Sequence, residues 1–116
     1  MNYFLKEEFE CAGVPVFDKM DKDFLDKLEL ARLLADVPFR ITSSYRTTEH
    51  NKKVGGKPNS AHTKGKAVDI SVSSGTEKFK IVNAAMGAGF TRIGIAKTFI
   101  HIDSDETKPQ NVIWTY

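Results

Sequence analysis

The sequence predicts an α+β fold, a small antiparallel sheet with helices packed on one face. Two stretches place apolar residues at helical spacing, and three short alternating runs close the chain with brief links between them, as successive antiparallel strands do. Helices and strands do not alternate regularly, so a wound parallel sheet fits poorly.

The first helix is expected in DKDFLDKLELARLLADV from Asp21, with Phe24, Leu28, Ala31 and Ala35 on one stripe and Leu25 and Leu34 beside it. Asp23 and Asp26 suit the positive end of its dipole, and Pro38 requires the helix to have ended. FRITSSYR reads as a short strand through Phe39, Ile41 and Thr42, followed by a Ser-Ser turn. TTEHNKKV reads as a short helix capped by Thr47 or Thr48 and stopped by Gly55 and Gly56. KPNSAHTKG is loop by composition. KAVDISV is a strand with Val68 and Ile70 facing one way and Ala67, Asp69 and Ser71 the other. Ser74 to Glu77 fits a capping box opening a second substantial helix, whose expected buried stripe is Phe79, Val82, Ala85 and Met86, closed by Gly87 and Gly89. TRIGIA, FIHID and NVIWTY complete the sheet, the first two as a hairpin turning at Lys97 and Thr98.

Of the 116 residues, 41% are hydrophobic, which suits one modest core and a single domain over residues 1–116, without repeat, linker or low-complexity tract. The 17 Lys and Arg nearly balance 15 Asp and Glu, so no nucleic acid or other polyanion is expected as partner. The lysines between Lys52 and Lys66 read as a solvated basic loop. Cys11 is the only cysteine; it excludes an internal disulfide and reads as a small buried hydrophobe. No stretch approaches the ~20 apolar residues of a membrane span, and MNYFLKEEFE lacks the regions of a signal peptide. Synthesis in the cytoplasm as a monomer, without membrane insertion, is the expectation. Tyr3, Tyr45, Trp114 and Tyr116 form no aromatic ladder interleaved with basic residues, which argues against single-stranded nucleic acid. A phosphate loop, a Gly-x-Ser-x-Gly elbow and a His-Glu-x-x-His helix are all missing.

The chemistry gathers around two strands. In FIHID, Ile100 and Ile102 face one side, so Phe99, His101 and Asp103 face the other. If this strand neighbours KAVDISV, Asp69 and His101 share a surface, and His62 can swing over it across the flexible Gly65. Two imidazoles and one carboxylate, with a fourth position left to water, are a ligand set for catalytic Zn²⁺. Cysteines that would close a structural site are missing, so the metal would be open and hydrolysis would follow. Singly, each of these residues also reads as an ordinary hydrogen-bonded side chain. His50, on the short helix expected in TTEHNKKV and among charges, is not expected to belong to the group.

SAHTKGKAVDI resembles the Ser-x-His-x-x-Gly-x-Ala-x-Asp signature of the zinc D-Ala-D-Ala carboxypeptidases and peptidoglycan L,D-endopeptidases of phage and bacteria. The zinc fold of these metallopeptidases is shared with the hedgehog signalling domain. ITSSYRTTEHNKKVGGKPNS is similar to the family's Ser-x-Tyr-Arg turn, His-Asn pair and Gly-Gly loop, FIHID to its closing His-x-Asp strand, and YFLKEEFEC to the start of its single-domain members. The resemblance implies zinc ligation by His62, Asp69 and His101, and Arg46 on the substrate and the developing oxyanion, a role suited to a permanent charge on a rigid fork. The alternative for Arg46 is a surface pair with Glu49. It further implies Ser60 contacting substrate or orienting a ligand, and room near the metal at Gly65 and Ala67.

One position departs from the pattern. Many relatives carry a glutamate general base three residues before the last histidine, and here that residue is Thr98. Asp103 is the nearest carboxylate, either as base or orienting a ligand histidine. The expected function is zinc-dependent hydrolysis of an amide bond in peptidoglycan stem peptides, by a D,D- or L,D-carboxypeptidase or endopeptidase of phage or prophage lytic type acting on the cell wall. The alternative is a non-catalytic zinc-binding cell-wall or phage structural module of the same fold.

Overall fold

A computed structural model describes residues 6–116; Tyr3 and the first three residues of YFLKEEFEC lie outside them. The chain forms the expected α+β architecture. A two-stranded ribbon, β1 (Glu10–Cys11) with β2 (Val14–Pro15), precedes helix α1 (Lys22–Ala35), strand β3 (Arg40–Ser43) and helix α2 (Thr48–Lys53). A 3₁₀ turn (Ala61–Lys64) leads into β4 (Ala67–Ser71), followed by α3 (Gly75–Gly87), β5 (Arg92–Ile95), β6 (Phe99–Asp103) and β7 (Val112–Thr115).

The main sheet has the order β3-β4-β6-β5-β7. It is antiparallel as expected from β3 to β5, but β7 runs parallel to β5. The connection explains this. The end of β6 lies beside the start of β5, where Asp103 faces Arg92, and residues 104–111 step across that end of the sheet without turning back.

Helices α1 and α3 pack on each other and on one face of the sheet. Val68, Ile70, Ile93, Ile100 and Ile102 of the strands are fully buried there with Leu28, Ala31, Ile81 and Ala85. Each large aliphatic residue so buried contributes roughly 1.5–3 kcal/mol. Phe24 of α1 meets Phe90 edge-on, with centroids 5.6 Å apart. Helix α1 starts at Asp21, whose carboxylate accepts from Phe24 N at 2.9 Å. Its stripe is as expected except that Leu34 is exposed while Leu25 is buried.

In α3 the buried line is Ile81, Ala84 and Ala85, with Val82 partly covered, and Phe79 and Met86 stand exposed. The buried face is thus rotated from the expected stripe. Helix α3 packs against α1, and both bury small residues there, Ala84 and Ala85 in α3 and Ala31 and Ala35 in α1, as the close packing of two helices favours. Ser74 caps α3 by accepting from Glu77 N, but the Glu77 carboxylate reaches back to Ser73 rather than to Ser74. Thr47 caps α2. Cys11 is half-buried against the core.

Gly65 ends the 3₁₀ turn in the left-handed region, at φ +71. A Cβ there would strike the Lys19 carbonyl oxygen and stand 3.1 Å from Met20 Cα. The space left by this glycine is therefore taken by the segment before α1, not left open as the resemblance implied, and Asp21 N donates to the Gly65 carbonyl at 2.8 Å. His62 consequently does not swing. It is fixed on a turn clamped from behind.

Residues 104–111 are pinned by a buried carboxylate. Asp105 is 1% exposed and accepts from Lys64 Nζ at 2.9 Å and Lys108 Nζ at 2.6 Å, while Lys66 pairs with Glu106 at 2.9 Å. Part of the basic loop expected from sequence is thereby neutralised. Burial pushes the Asp105 carboxyl up, and the hydrogen bonds from Lys108, Thr107 and Lys64 outweigh it and depress it strongly.

Two outcomes test this scaffold. Gly65→Ala should lower stability by ~2 kcal/mol or more in denaturant unfolding, since it adds a backbone clash to the ~1–2 kcal/mol of left-handed strain. Gly55→Ala, at φ +75 with open space around its Cβ, should cost only the strain. Asp105 has a folded pKa below its unfolded value, so its contribution is complete above the ordinary carboxylate range and drains away as pH falls through it. Asp105→Asn should flatten that acid limb and cost about 1–3 kcal/mol near neutrality, read from urea midpoints across pH.

Candidate metal centre

The face of the sheet opposite the helices carries the polar group. Asp69 and His101 are direct cross-strand partners of β4 and β6, so one alternation period places both side chains on this face. A bulge in β3 between Ile41 and Ser43 brings Ser43 onto the same side. His62 arrives from the 3₁₀ turn, whose Ser60 cap accepts from His62 N at 3.2 Å. His62, Asp69 and His101 each offer one donor atom, all within 4.8 Å of one another, and together could hold a metal ion.

The tautomers follow from the partners. His62 Nδ1 lies 2.7 Å from the Ser44 carbonyl oxygen, which only accepts, so Nδ1 carries the proton. Nε2 then presents a lone pair, 3.4 Å from Asp69 Oδ1. His101 Nε2 lies 2.7 Å from Asp103 Oδ2 and donates to it. His101 Nδ1 is left facing the same Asp69 Oδ1 at 3.0 Å. Three acceptor atoms turned toward one point repel one another unless a cation, proton or metal, sits among them. The set of two imidazole nitrogens and one carboxylate oxygen therefore fits a divalent metal.

A proton on an imidazole is the alternative cation at this point, and with it the nitrogen facing Asp69 donates instead of repelling. Burial raises the Asp69 carboxyl, and hydrogen bonds and charge from His101 and His62 overcome that and depress it. Burial lowers the His101 imidazole, and Asp103 and Asp69 more than offset it, for a net rise. Asp103 follows Asp69: burial raises it, and His101, the Asp105 N–H and Arg92 bring it down.

Arg46 lies at the rim of the group. Its Nε donates to Ser43 Oγ at 3.0 Å, Nη1 to Asn51 Oδ1 at 2.8 Å, and Nη2 approaches Asp69 Oδ2 at 3.4 Å. Its partner is thus Asp69 and not Glu49. Asn51 was missed as a site residue by sequence reasoning. It is buried, orients Arg46 and donates Nδ2 to the Lys57 carbonyl at 2.9 Å. The signal was the His-Asn pair of the family pattern, and in the structure any Cβ at Gly56 would collide with the Asn51 amide.

Asp103 is 2% exposed. Both of its oxygens are engaged: Oδ2 by His101, Oδ1 by Arg92 Nε at 2.8 Å and Asp105 N at 3.1 Å. Thr98 is exposed in the β5–β6 turn, where its carbonyl accepts from Val72 N. His50 sits on α2 and does not join the group. A cleft of about 650 Å³ opens above the three donors, walled by residues 54–60 on one side and by Phe99, Trp114 and Tyr116 on the other, with Arg46, Ser60 and Asp103 also lining it.

No helix among the described residues is long and apolar enough to cross a membrane. No curated protein matches the chain. Residues 2–103 match the family model of peptidase M15, covering the turn that carries His62 and the two strands that carry Asp69 and His101, so that the chain belongs to the peptidase M15 family, a family of metallopeptidases.

Proposed function

We propose that the protein is a zinc-dependent peptidase hydrolysing an amide bond in peptidoglycan stem peptides, a D,D- or L,D-carboxypeptidase or endopeptidase of phage or prophage lytic type acting as a single domain. The observation that carries this is the convergence of His62 Nε2, Asp69 Oδ1 and His101 Nδ1 on one point at the floor of an open cleft. Two nitrogens and one oxygen favour zinc over the hard oxygen-seeking cations, and three protein ligands leave a coordination position open. A bound zinc ion supplies Lewis acidity, lowering the pKa of a water molecule and polarising the scissile carbonyl.

The chain's own residues supply the rest. Arg46, held by Ser43 and Asn51, presents a fixed guanidinium edge to a substrate carboxylate or to the carbonyl oxygen as charge develops on it. Ser60 holds the His62 turn through its cap and contributes to the cleft wall. Asp103 keeps the proton on His101 Nε2, which leaves Nδ1 as the donor. In this arrangement it is a positioning residue, and a role as base would require it to abandon His101 and Arg92.

A second reading, a non-catalytic zinc-binding wall or phage module, is favoured by one observation. Thr98 stands in the glutamate position, and the carboxylates lining the cleft among the described residues, Asp69 and Asp103, are both engaged. Incubation with purified peptidoglycan separates the readings: shortened stems or free D-alanine, abolished by a chelator and restored by zinc, support the peptidase, and intact stems in the presence of bound zinc support the module.

Elemental analysis should find near-stoichiometric zinc in the protein, lost in His62→Ala and Asp69→Ala. Wild-type protein that stays metal-free under zinc supply overturns the reading. Because the raised His101 value lets protons compete at higher pH, zinc affinity should fall as pH drops from above the ordinary imidazole value of ~6.5. Arg46→Lys should keep its zinc and lose about 10²-fold in kcat/KM, measured on a synthetic stem peptide.

A further inference from the structure

Behind His101 stands a support that neither the family match nor the zinc reading assigns. Arg92 opens β5 opposite Asp103. Its Nε donates to Asp103 Oδ1 at 2.8 Å, its Nη1 donates to the Pro109 carbonyl at 2.7 Å, and its guanidinium lies 5.0 Å from the centre of the Trp114 ring. The same indole packs 5.5 Å from the His101 imidazole. It rests directly on Gly94, where a Cβ would stand 2.6 Å from the indole Nε1. Gly94 is paired with His101 on one side and Trp114 on the other. His101, Asp103, Arg92 and Trp114 thus form a closed ring of contacts, and Trp114 lies beyond residue 103, where the family match ends.

We propose that Arg92 and Trp114 are a positioning pair that sets the orientation and donor strength of His101 toward the metal. Arg92 acts through Asp103. A carboxylate 2% exposed needs a compensating cation, and without Arg92 its Oδ1 would keep only the Asp105 N–H and the plane of the carboxylate would be free to turn away from His101. The planar fork matters, because Nε and Nη1 bind two different acceptors at once, which an ammonium on a flexible stem does not reproduce. Trp114 acts by packing. Its ring holds Arg92 by a cation–π contact and blocks rotation of the imidazole, and it keeps water from the hydrogen bond between His101 and Asp103.

The inference rests on the metal-binding reading, and the experiment distinguishes their failures. Zn²⁺ and Co²⁺ are titrated into the full chain in competition with a chromophoric chelator, with the visible Co²⁺ bands recorded and folding followed by circular dichroism. Arg92→Met should bind 10–100-fold more weakly, with altered Co²⁺ bands, and should weaken binding no further when combined with Asp103→Asn, since both act through one path. Trp114→Ala should shift both readouts in the same direction and Trp114→Phe should recover most of the loss. A folded Arg92→Met with wild-type affinity and spectrum overturns the proposal, as do losses that add fully to those of Asp103→Asn. Should Arg92→Met not fold, Arg92→Lys replaces it with the same two outcomes. Wild-type protein that binds neither metal removes the zinc reading and this inference together.

Discussion

Three ligand-type atoms gathered within 4.8 Å of one another, with Asp69 Oδ1 3.4 and 3.0 Å from the two imidazole nitrogens, are the constraint around which the molecule is arranged. Such a group is stable only around positive charge, and its neighbours fix which atoms face that point. The Ser44 carbonyl dictates which nitrogen of His62 is free, and Asp103 dictates the same for His101. A backbone oxygen and an ionised carboxylate are both pure acceptors, so the ring nitrogen facing each carries a proton, and a metal would take the lone pair of the other.

Keeping that group in place requires compensation of buried negative charge. Asp69, Asp103 and Asp105 are each matched to cationic or N–H donors: Arg46 and the histidines for the first, Arg92 for the second, Lys64 and Lys108 for the third. Buried carboxylates left alone would protonate or unfold the site. The pairings also join segments far apart in sequence, the β3–α2 turn and the start of β5, to the two strands that carry Asp69 and His101, and the 3₁₀ turn of His62 to the loop before β7.

Alternation made much of this legible before any coordinates. Asp69 and His101 interrupt apolar strands at positions that must face away from Ile70 and Ile100, and once the two strands are neighbours the pair is forced. The cap at Ser74 and the strand limits of β4 to β6 were legible for the same reason, that local chemistry decides them. What escaped was set by distant partners. The phase of α3 depends on its packing against α1, the parallel entry of β7 on the path of residues 104–111, and the role of Gly65 on the segment far upstream at Lys19 and Met20. Arg92 stood out in no way within TRIGIA, because an arginine at a strand start is ordinarily solvated; only the fold shows it beneath Trp114.

Strand β7 is joined to the sheet by β5 alone. Removing it would turn β5 into an edge, baring a row of unpaired N–H and C=O groups beside Ile93 and Ile95, an invitation to strand addition and aggregation. It would also uncover Gly94, which has no side chain of its own to shelter the neighbouring imidazole. A truncated form ending with β6 would keep His62, Asp69 and His101 and still be a sticky, waterlogged version of the site.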